Sequence, residues 1–290
     1  MMTTREYQHL EVELLESGSV LSIQLAGGKG NILDSAMMLE LASALEQHAT
    51  SETLRLVMLR GGPKNFSFGA SIAEHTKDKV GEMLPTFHSL IRGMTTYPVP
   101  IAALVHGRCL GGAFELVLAC HFVFATADAV FACPEIKLGV FPPVLAVLGP
   151  QRLGSAIAER LLLTGADLDA ATAARIGWLS QILPAGSEGA AGSEGAAGSG
   201  GVAGSEGAAG SDGATGVLLS WYRETLAPLS AFSLRQATHA VRRHGGFAAA
   251  VGAALDAAEQ QYLTQLVPSH DGNEGIEAFI ARREPSWTNR

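Results

Sequence analysis

The run Val105-His106-Gly107-Arg108-Cys109-Leu110-Gly111-Gly112-Ala113-Phe114-Glu115-Leu116 constrains this chain more than any other. A strand that enters a Gly-Gly turn and opens a helix leaves backbone N–H groups unpaired at the positive end of the helix dipole, which suits an anion. A tight strand-to-helix turn with close packing reads equally well from this segment alone. A phosphate loop does not, because no Gly-Lys-Ser/Thr follows. The spacing of Gly107, Gly111 and Gly112 also fails the dinucleotide fingerprint. A second segment, Asn65-Phe66-Ser67-Phe68-Gly69-Ala70-Ser71-Ile72-Ala73-Glu74, follows a strand and a Gly61-Gly62-Pro63 turn. Its Gly69-Ala70 pair can present another free N–H, and two such donors make an oxyanion hole for charge developing on a carbonyl oxygen.

Around these segments apolar runs alternate with helical patterns. Strands are expected at Val20 to Leu25, Leu54 to Leu59, Val99 to His106, His121 to Ala125 and Ala129 to Cys133. Helices are expected at Ser35 to His48, Val80 to Met94, Ala113 to Cys120 and Ala156 to Thr164. A βαβ unit is implied between Val20 and Leu59, and the class is α/β. Toward the end, Val217 to Leu226, Ser230 to His244, Phe247 to Leu266 and a short stretch near Glu274 to Arg283 read as helices.

Between the two parts, residues 186–216 repeat a six-residue unit with Gly-Ser starts at Gly186, Gly192, Gly198, Gly204 and Gly210. Solenoid repeats are longer and carry an apolar face that these units lack. With almost no apolar side chains to offset its ordering entropy, the segment is expected to be a flexible excursion. Three regions follow: 1–185 as the core with the active site, 186–216 as a low-complexity loop, and 217–290 as a helical region for pocket closure and oligomerisation.

Composition then limits the partners. The net charge of −8 disfavours a broad nucleic-acid surface. Half of that charge comes from Glu188, Glu194, Glu206 and Asp212 in the repeat, so the rest of the chain is only mildly acidic. The most apolar run, Phe114 to Cys133, carries Glu115, His121 and Asp128, which argues against a membrane span. Three cysteines suggest no disulfide framework, and residues 1–6 lack the apolar core of a signal peptide, so a cytoplasmic protein is expected.

Taken together, the motifs resemble the crotonase (enoyl-CoA hydratase/isomerase) superfamily. Phe66 to Glu74 is similar to its Phe-x-x-Gly-Ala-Asp-Ile-x-Glu segment, with Ser71 in place of Asp. Gly107 to Leu116 is similar to Gly-x-x-x-Gly-Gly-Gly-x-Glu-Leu, with Ala113 in place of the third Gly. Phe131 to Gly139 is similar to the hydratases' Phe-Gly-x-Pro-Glu-x-x-x-Gly. The resemblance implies a spiral of ββα units, oxyanion donors at the N–H groups of Ala70 and Gly112, and catalytic glutamates at Glu115 and Glu135. It implies an acyl-CoA thioester as substrate, no cofactor beyond the coenzyme A carried by that substrate, no metal, and a homotrimer or hexamer. Two carboxyls suit hydration, because one takes a proton from water while the other returns a proton to carbon.

Substrate contacts are expected from Lys29, Asn31, Ile32, Leu33, Phe68, Gly69, Ser71, Ile72, Gly111, Pro134, Phe141 and Pro142, with Lys29 the best basic contact for the CoA phosphates. Gly28 to Asp34, Ser67 to Ser71, Gly107 to Gly112 and Gly139 to Pro143 look like the branch of the superfamily that hydrates cyclic dienoyl-CoA thioesters such as cyclohexa-1,5-diene-1-carbonyl-CoA. Linear enoyl-CoA hydratases carry a smaller Pro-Gly-Ala-Gly-Gly-type run where Phe141-Pro142-Pro143-Val144-Leu145 stands. Hydration of linear substrates, double-bond isomerisation, thioester hydrolysis and a non-catalytic CoA- or RNA-binding scaffold are the other readings. An isomerase needs only one carboxyl, and a scaffold predicts loss of a glutamate or a donor.

Overall fold

The computed structural model describes residues 6–183, 211–244 and 247–290. Strand β1 (Leu10–Leu15) pairs antiparallel with β2 (Val20–Leu25). Helix α1 (Ser35–His48) then crosses to β3 (Leu56–Arg60), which lies parallel to β2, so the expected βαβ unit is present. The helix starts where the Asp34 carboxylate accepts from Met37 N at 2.9 Å, an N-cap that satisfies one of the free donors of the first turn. Helix α2 (Val80–Thr95) leads to β4 (Ile101–Val105), parallel to β3.

From here each turn of chain places one strand in each of two sheets. After β4 comes β5 (Arg108–Leu110) in the second sheet, then α3 (Gly112–Leu118). After β6 (Phe122–Thr126) in the first sheet comes β7 (Val130–Ala132) in the second, then α4 (Pro143–Leu153) and α5 (Ser155–Thr164). Strand β8 (Asp167–Asp169), α6 (Ala170–Arg175) and β9 (Gln181–Leu183) complete this part. The first sheet runs β1-β2-β3-β4-β6-β9 and the second β5-β7-β8, so the chain winds as the ββα spiral that the motifs imply.

The main sheet is covered on both faces, as a mostly parallel sheet must be. Leu21, Val57, Leu59, Ala103, Val105, Val123 and Ala125 face the large core, whereas Val20, Leu56, Met58, Ala102, Leu104 and Phe124 face the other way. That second face is covered by α7 (Ser211–Thr225) through Leu218 and Tyr222, with Leu226 just beyond it. Burying a leucine in this way contributes about 1.5–3 kcal/mol. Trp221 meets Phe122 and Phe124 edge-on, at 5.1 and 4.9 Å between ring centres.

Helix α7 begins at Ser211, inside the last repeat unit, so the loop expected through Gly216 ends earlier: apolar cover for the sheet favours helix over the Gly-rich local sequence. The rest of the repeat lies outside the described residues. Helix α8 (Ala231–His239) and α9 (Phe247–Gln261) are each followed or extended by a π-helical turn, Ala240–His244 and Tyr262–Leu266, and α10 (Asp271–Ala281) ends the chain's regular structure. Helix α9 packs on α2 and α4, and α10 on the 3-10 turns Ile72–Glu74 and Pro134–Leu138. Among the described residues no helix is long and apolar enough to cross a membrane.

Candidate active site

Two isolated parallel bridges extend the second sheet and bring the site together. Ser67 pairs with Cys109 on β5, and Leu33 pairs with Ala70. The first bridge lays the 66–70 segment beside the strand that enters α3. It requires close backbone approach at Gly69, whose φ is +93°: a Cβ there would lie 2.4 Å from Leu110 O. A side chain at this position is excluded by contact as well as by φ.

As a result Ala70 and Gly112 are neighbours. A Cβ built on Gly112 would stand 3.3 Å from Ala70 N. Leu33 N donates to Gly69 O and Ser71 N donates to Leu33 O, which leaves the Ala70 N–H between them without a hydrogen bond among the described residues. Gly112 is the first residue of α3, so its N–H has no partner within the helix. Both donors line one cavity of about 860 Å³.

Glu115 and Glu135 line the same cavity. Glu115 sits in the first turn of α3, 4% exposed, and its Oε1 accepts from Leu145 N at 2.9 Å, at the start of α4. Glu135 follows Pro134 in the 3-10 turn Pro134–Leu138, and its Oε2 is buried without a hydrogen-bond partner among the described residues. Gly111, at φ +51°, makes room for this carboxyl: a Cβ there would lie 2.7 Å from Glu135 Oε1. Burial pushes the Glu115 carboxyl above the ordinary carboxylate range, while backbone N–H groups of Leu145 and Val144 pull against that shift. Burial also raises Glu135, and the neighbouring Glu115 charge raises it further.

Most of the expected contact residues line the cavity: Lys29, Ile32, Phe68, Ser71, Ile72, Gly111, Pro134, Phe141 and Pro142. Lys29 is exposed and Phe68 is 43% exposed, so these two mark the solvent edge. Asn31, Leu33 and Gly69 do not line it. Leu33 is a core residue. The Asn31 amide is committed to structure instead, donating to Phe66 O at 2.9 Å and accepting from Gly27 N at 2.8 Å, and Asn31 adopts a left-handed φ of 52°. These three hold the loops that carry the lining residues.

The sequence motifs missed several lining residues. Met83, Leu84 and Phe87 project from α2, and Tyr262, Ile276 and Phe279 come from the C-terminal helices. His75 also lines the cavity; its Nδ1 lies 2.8 Å from Ser71 O, and burial lowers its proton affinity. The carbonyl can only accept, so Nδ1 carries the proton and Nε2 is the acceptor in the neutral ring.

Residues 16–188 match the family model described as enoyl-CoA hydratase/isomerase. The chain is 39% identical over 281 residues to the cyclohexa-1,5-dienecarbonyl-CoA hydratase of Thauera aromatica, covering 97% of each protein. It is 28% identical over 265 residues to the 2,3-dehydroadipyl-CoA hydratase of Escherichia coli (strain K12), covering 90% of this chain and 91% of that protein. The fold is similar to that of an enoyl-CoA hydratase/isomerase from Pseudoalteromonas atlantica T6c, with a TM-score of 0.77 at 22% identity, over 97% of this chain and all of the other.

Proposed function

The chain belongs to the enoyl-CoA hydratase/isomerase family and is an acyl-CoA hydratase, and from that premise we propose that it adds water reversibly to a cyclic dienoyl-CoA thioester of the cyclohexa-1,5-diene-1-carbonyl type. The observation that carries this reading is the convergence, in one largely apolar cavity, of two N–H donors without a partner among the described residues and two buried carboxyls of unequal environment.

In the proposed reaction the thioester oxygen is held by the N–H groups of Ala70 and Gly112. Preformed donors at that oxygen stabilise the enolate more than the substrate, and they lower the barrier for that reason. Glu115 is the base. Its carboxylate is held by Leu145 N and takes a proton from water as the water oxygen bonds to the acyl chain. Glu135, raised by both burial and Glu115, is the acid and gives its proton to carbon as the enolate collapses. Transfer of the captured proton from Glu115 to Glu135 resets the pair, so one water is consumed and both its hydrogens are accounted for. With a cyclic diene the enolate charge extends through the ring, which permits proton delivery at the far end of the conjugated system and 1,4-addition.

The relation to the Thauera hydratase over nearly the whole chain supports a cyclic acyl group. So does the bulk of the cavity wall, where Phe87, Phe141, Pro142, Pro143 and Tyr262 stand. The CoA portion is assigned to the exposed edge, with backbone and loop contacts from Ile32, Phe68, Ser71 and Ile72 and the ammonium of Lys29 toward the phosphates. A homotrimer or hexamer in the cytoplasm, serving the breakdown of aromatic compounds, completes the proposal. The test is turnover of crotonyl-CoA and of a cyclic dienoyl-CoA, followed by loss of conjugated absorbance. The cyclic diene is expected to show the higher kcat/KM. A preference for crotonyl-CoA would reassign the enzyme to linear substrates, and turnover of neither would overturn the reading.

A further inference from the structure

Tyr262 is a cavity residue whose polar group has no part in the proposed chemistry and yet stands near Glu135 and Glu115. It opens the π-helical turn Tyr262–Leu266 after α9, far in sequence from every motif discussed above. Such turns widen the helix locally and are frequent at functional sites. Here the turn aims Tyr262 at the cavity while Leu263 and Leu266 pack against the core. The Tyr262 ring meets Phe141 edge-on at 5.5 Å, which fixes its orientation.

Only 2% of Tyr262 is exposed, and its hydroxyl makes no hydrogen bond among the described residues. Unlike Glu135 Oε2, this hydroxyl oxygen is not sealed off from solvent: it opens onto the cavity, and a tyrosine hydroxyl in such a place normally finds a partner. The partner must therefore come from what the cavity holds. Burial and the nearby charges of Glu135 and Glu115 push the phenol well above its ordinary range, so it stays protonated and is a donor. The thioester oxygen is already taken by two backbone donors. On the hydratase reading, the remaining oxygen in the reacting part of the ligand is the one that water contributes.

We propose that the Tyr262 hydroxyl donates to that oxygen, as incoming water and as the product's hydroxyl, and so selects for a hydroxylated acyl group. It makes and breaks no covalent bond. Its role is to bind and orient the oxygen that Glu115 deprotonates. The inference rests on the hydratase reading, and the two can fail separately.

The test compares inhibition by 2-hydroxycyclohexanecarbonyl-CoA, which carries the added oxygen beside the thioester-bearing carbon, with inhibition by cyclohexanecarbonyl-CoA, which lacks it. Tyr262→Phe keeps the ring and its contact with Phe141. It is expected to weaken the hydroxylated inhibitor by about fivefold to a hundredfold, the range for a lost buried hydrogen bond. Inhibition by the deoxy compound should change less than about twofold, which also verifies that the variant is folded. Equal changes for both compounds, or no change for either, would overturn the role of Tyr262 while leaving the hydratase reading intact. A parent enzyme that hydrates no enoyl-CoA and is inhibited by neither compound would overturn both.

Discussion

Leu145 N donates to Glu115 Oε1 over 2.9 Å, whereas Glu135, the other carboxyl in the cavity, has a buried oxygen that nothing in the described structure contacts by hydrogen bonding. A donor stabilises the ionised form of its acceptor, and burial without one favours the neutral form. The two glutamates are thus held differently, Glu115 by the N–H groups of Leu145 and Val144 and Glu135 by its own N–H alone, and this inequality supports the proposed base and acid.

A pH dependence follows. The productive state has one carboxyl ionised and one protonated, and the titration belongs to the pair. Activity is lost at low pH when the base takes a proton and at high pH when the acid loses one. Since both groups are raised above 4.5, both limbs of the kcat/KM profile should lie above the ordinary carboxylate range. A stopped pH-rate profile with its alkaline limb in that ordinary range would contradict the assignment.

Stability has the matching sign. A carboxyl whose folded-state pKa is raised binds its proton more tightly when folded, so it favours the fold below the unfolded pKa and loses that contribution as pH rises through the folded value. The Glu115→Gln/Glu135→Gln double variant cannot ionise. Its melting temperature is expected to exceed the parent's above neutrality, with the gap narrowing as pH falls toward 4.5. Parallel melting curves across that range would show that the pair carries no such shift.

Asn31 should matter for stability and little for chemistry. Asn31→Ala leaves Phe66 O and Gly27 N without their side-chain partner and places alanine at a left-handed φ. Thermal or urea unfolding should show a loss of about 1–3 kcal/mol. Turnover by the folded fraction should stay within about threefold of the parent, since Asn31 does not line the cavity.

Gly69→Ala is expected to damage both. The added methyl meets Leu110 O and forces apart the segments that carry Ala70 and Gly112. Alanine at an incompatible positive φ costs more than about 1 kcal/mol, and loss of one oxyanion donor costs about a hundredfold or more in kcat. Calorimetry and steady-state rates on the same preparation check the two effects together.

Much of this was readable from sequence where local signals agree. Ser35 to His48 carries its helical spacing, and the helix has those bounds. The two glycine-rich segments point to free N–H groups because these need an irregular backbone, which glycine supplies, and the family resemblance implies that they are those of Ala70 and Gly112. Other parts were not readable. Helix α4 opens on Pro142-Pro143 and contains Gly149-Pro150, which reads as a loop until packing on α5 and α9 is known. Strands β5 and β8 are three residues each, too short for an alternating pattern. Tyr262 lies in an Ala-rich helical stretch that looks like any amphipathic helix, and only the docking of α9 on α2 and α4 brings it to the cavity. Asn31 and Leu33 share a loop with true lining residues, and sequence proximity cannot separate a side chain that holds a loop from one that meets a ligand.

The central claim is that Glu115 and Glu135 act as one acid–base unit, and a double-mutant cycle in kcat tests it most directly. Glu115→Gln and Glu135→Gln keep size and remove only the proton chemistry. Each is expected to lower turnover by at least about a hundredfold, while affinity for a non-reactive acyl-CoA stays within about threefold and the double variant is little worse than the poorer single one. Turnover of either single variant within about tenfold of the parent on its best substrate, below the usual cost of losing an acid or base, would contradict the account.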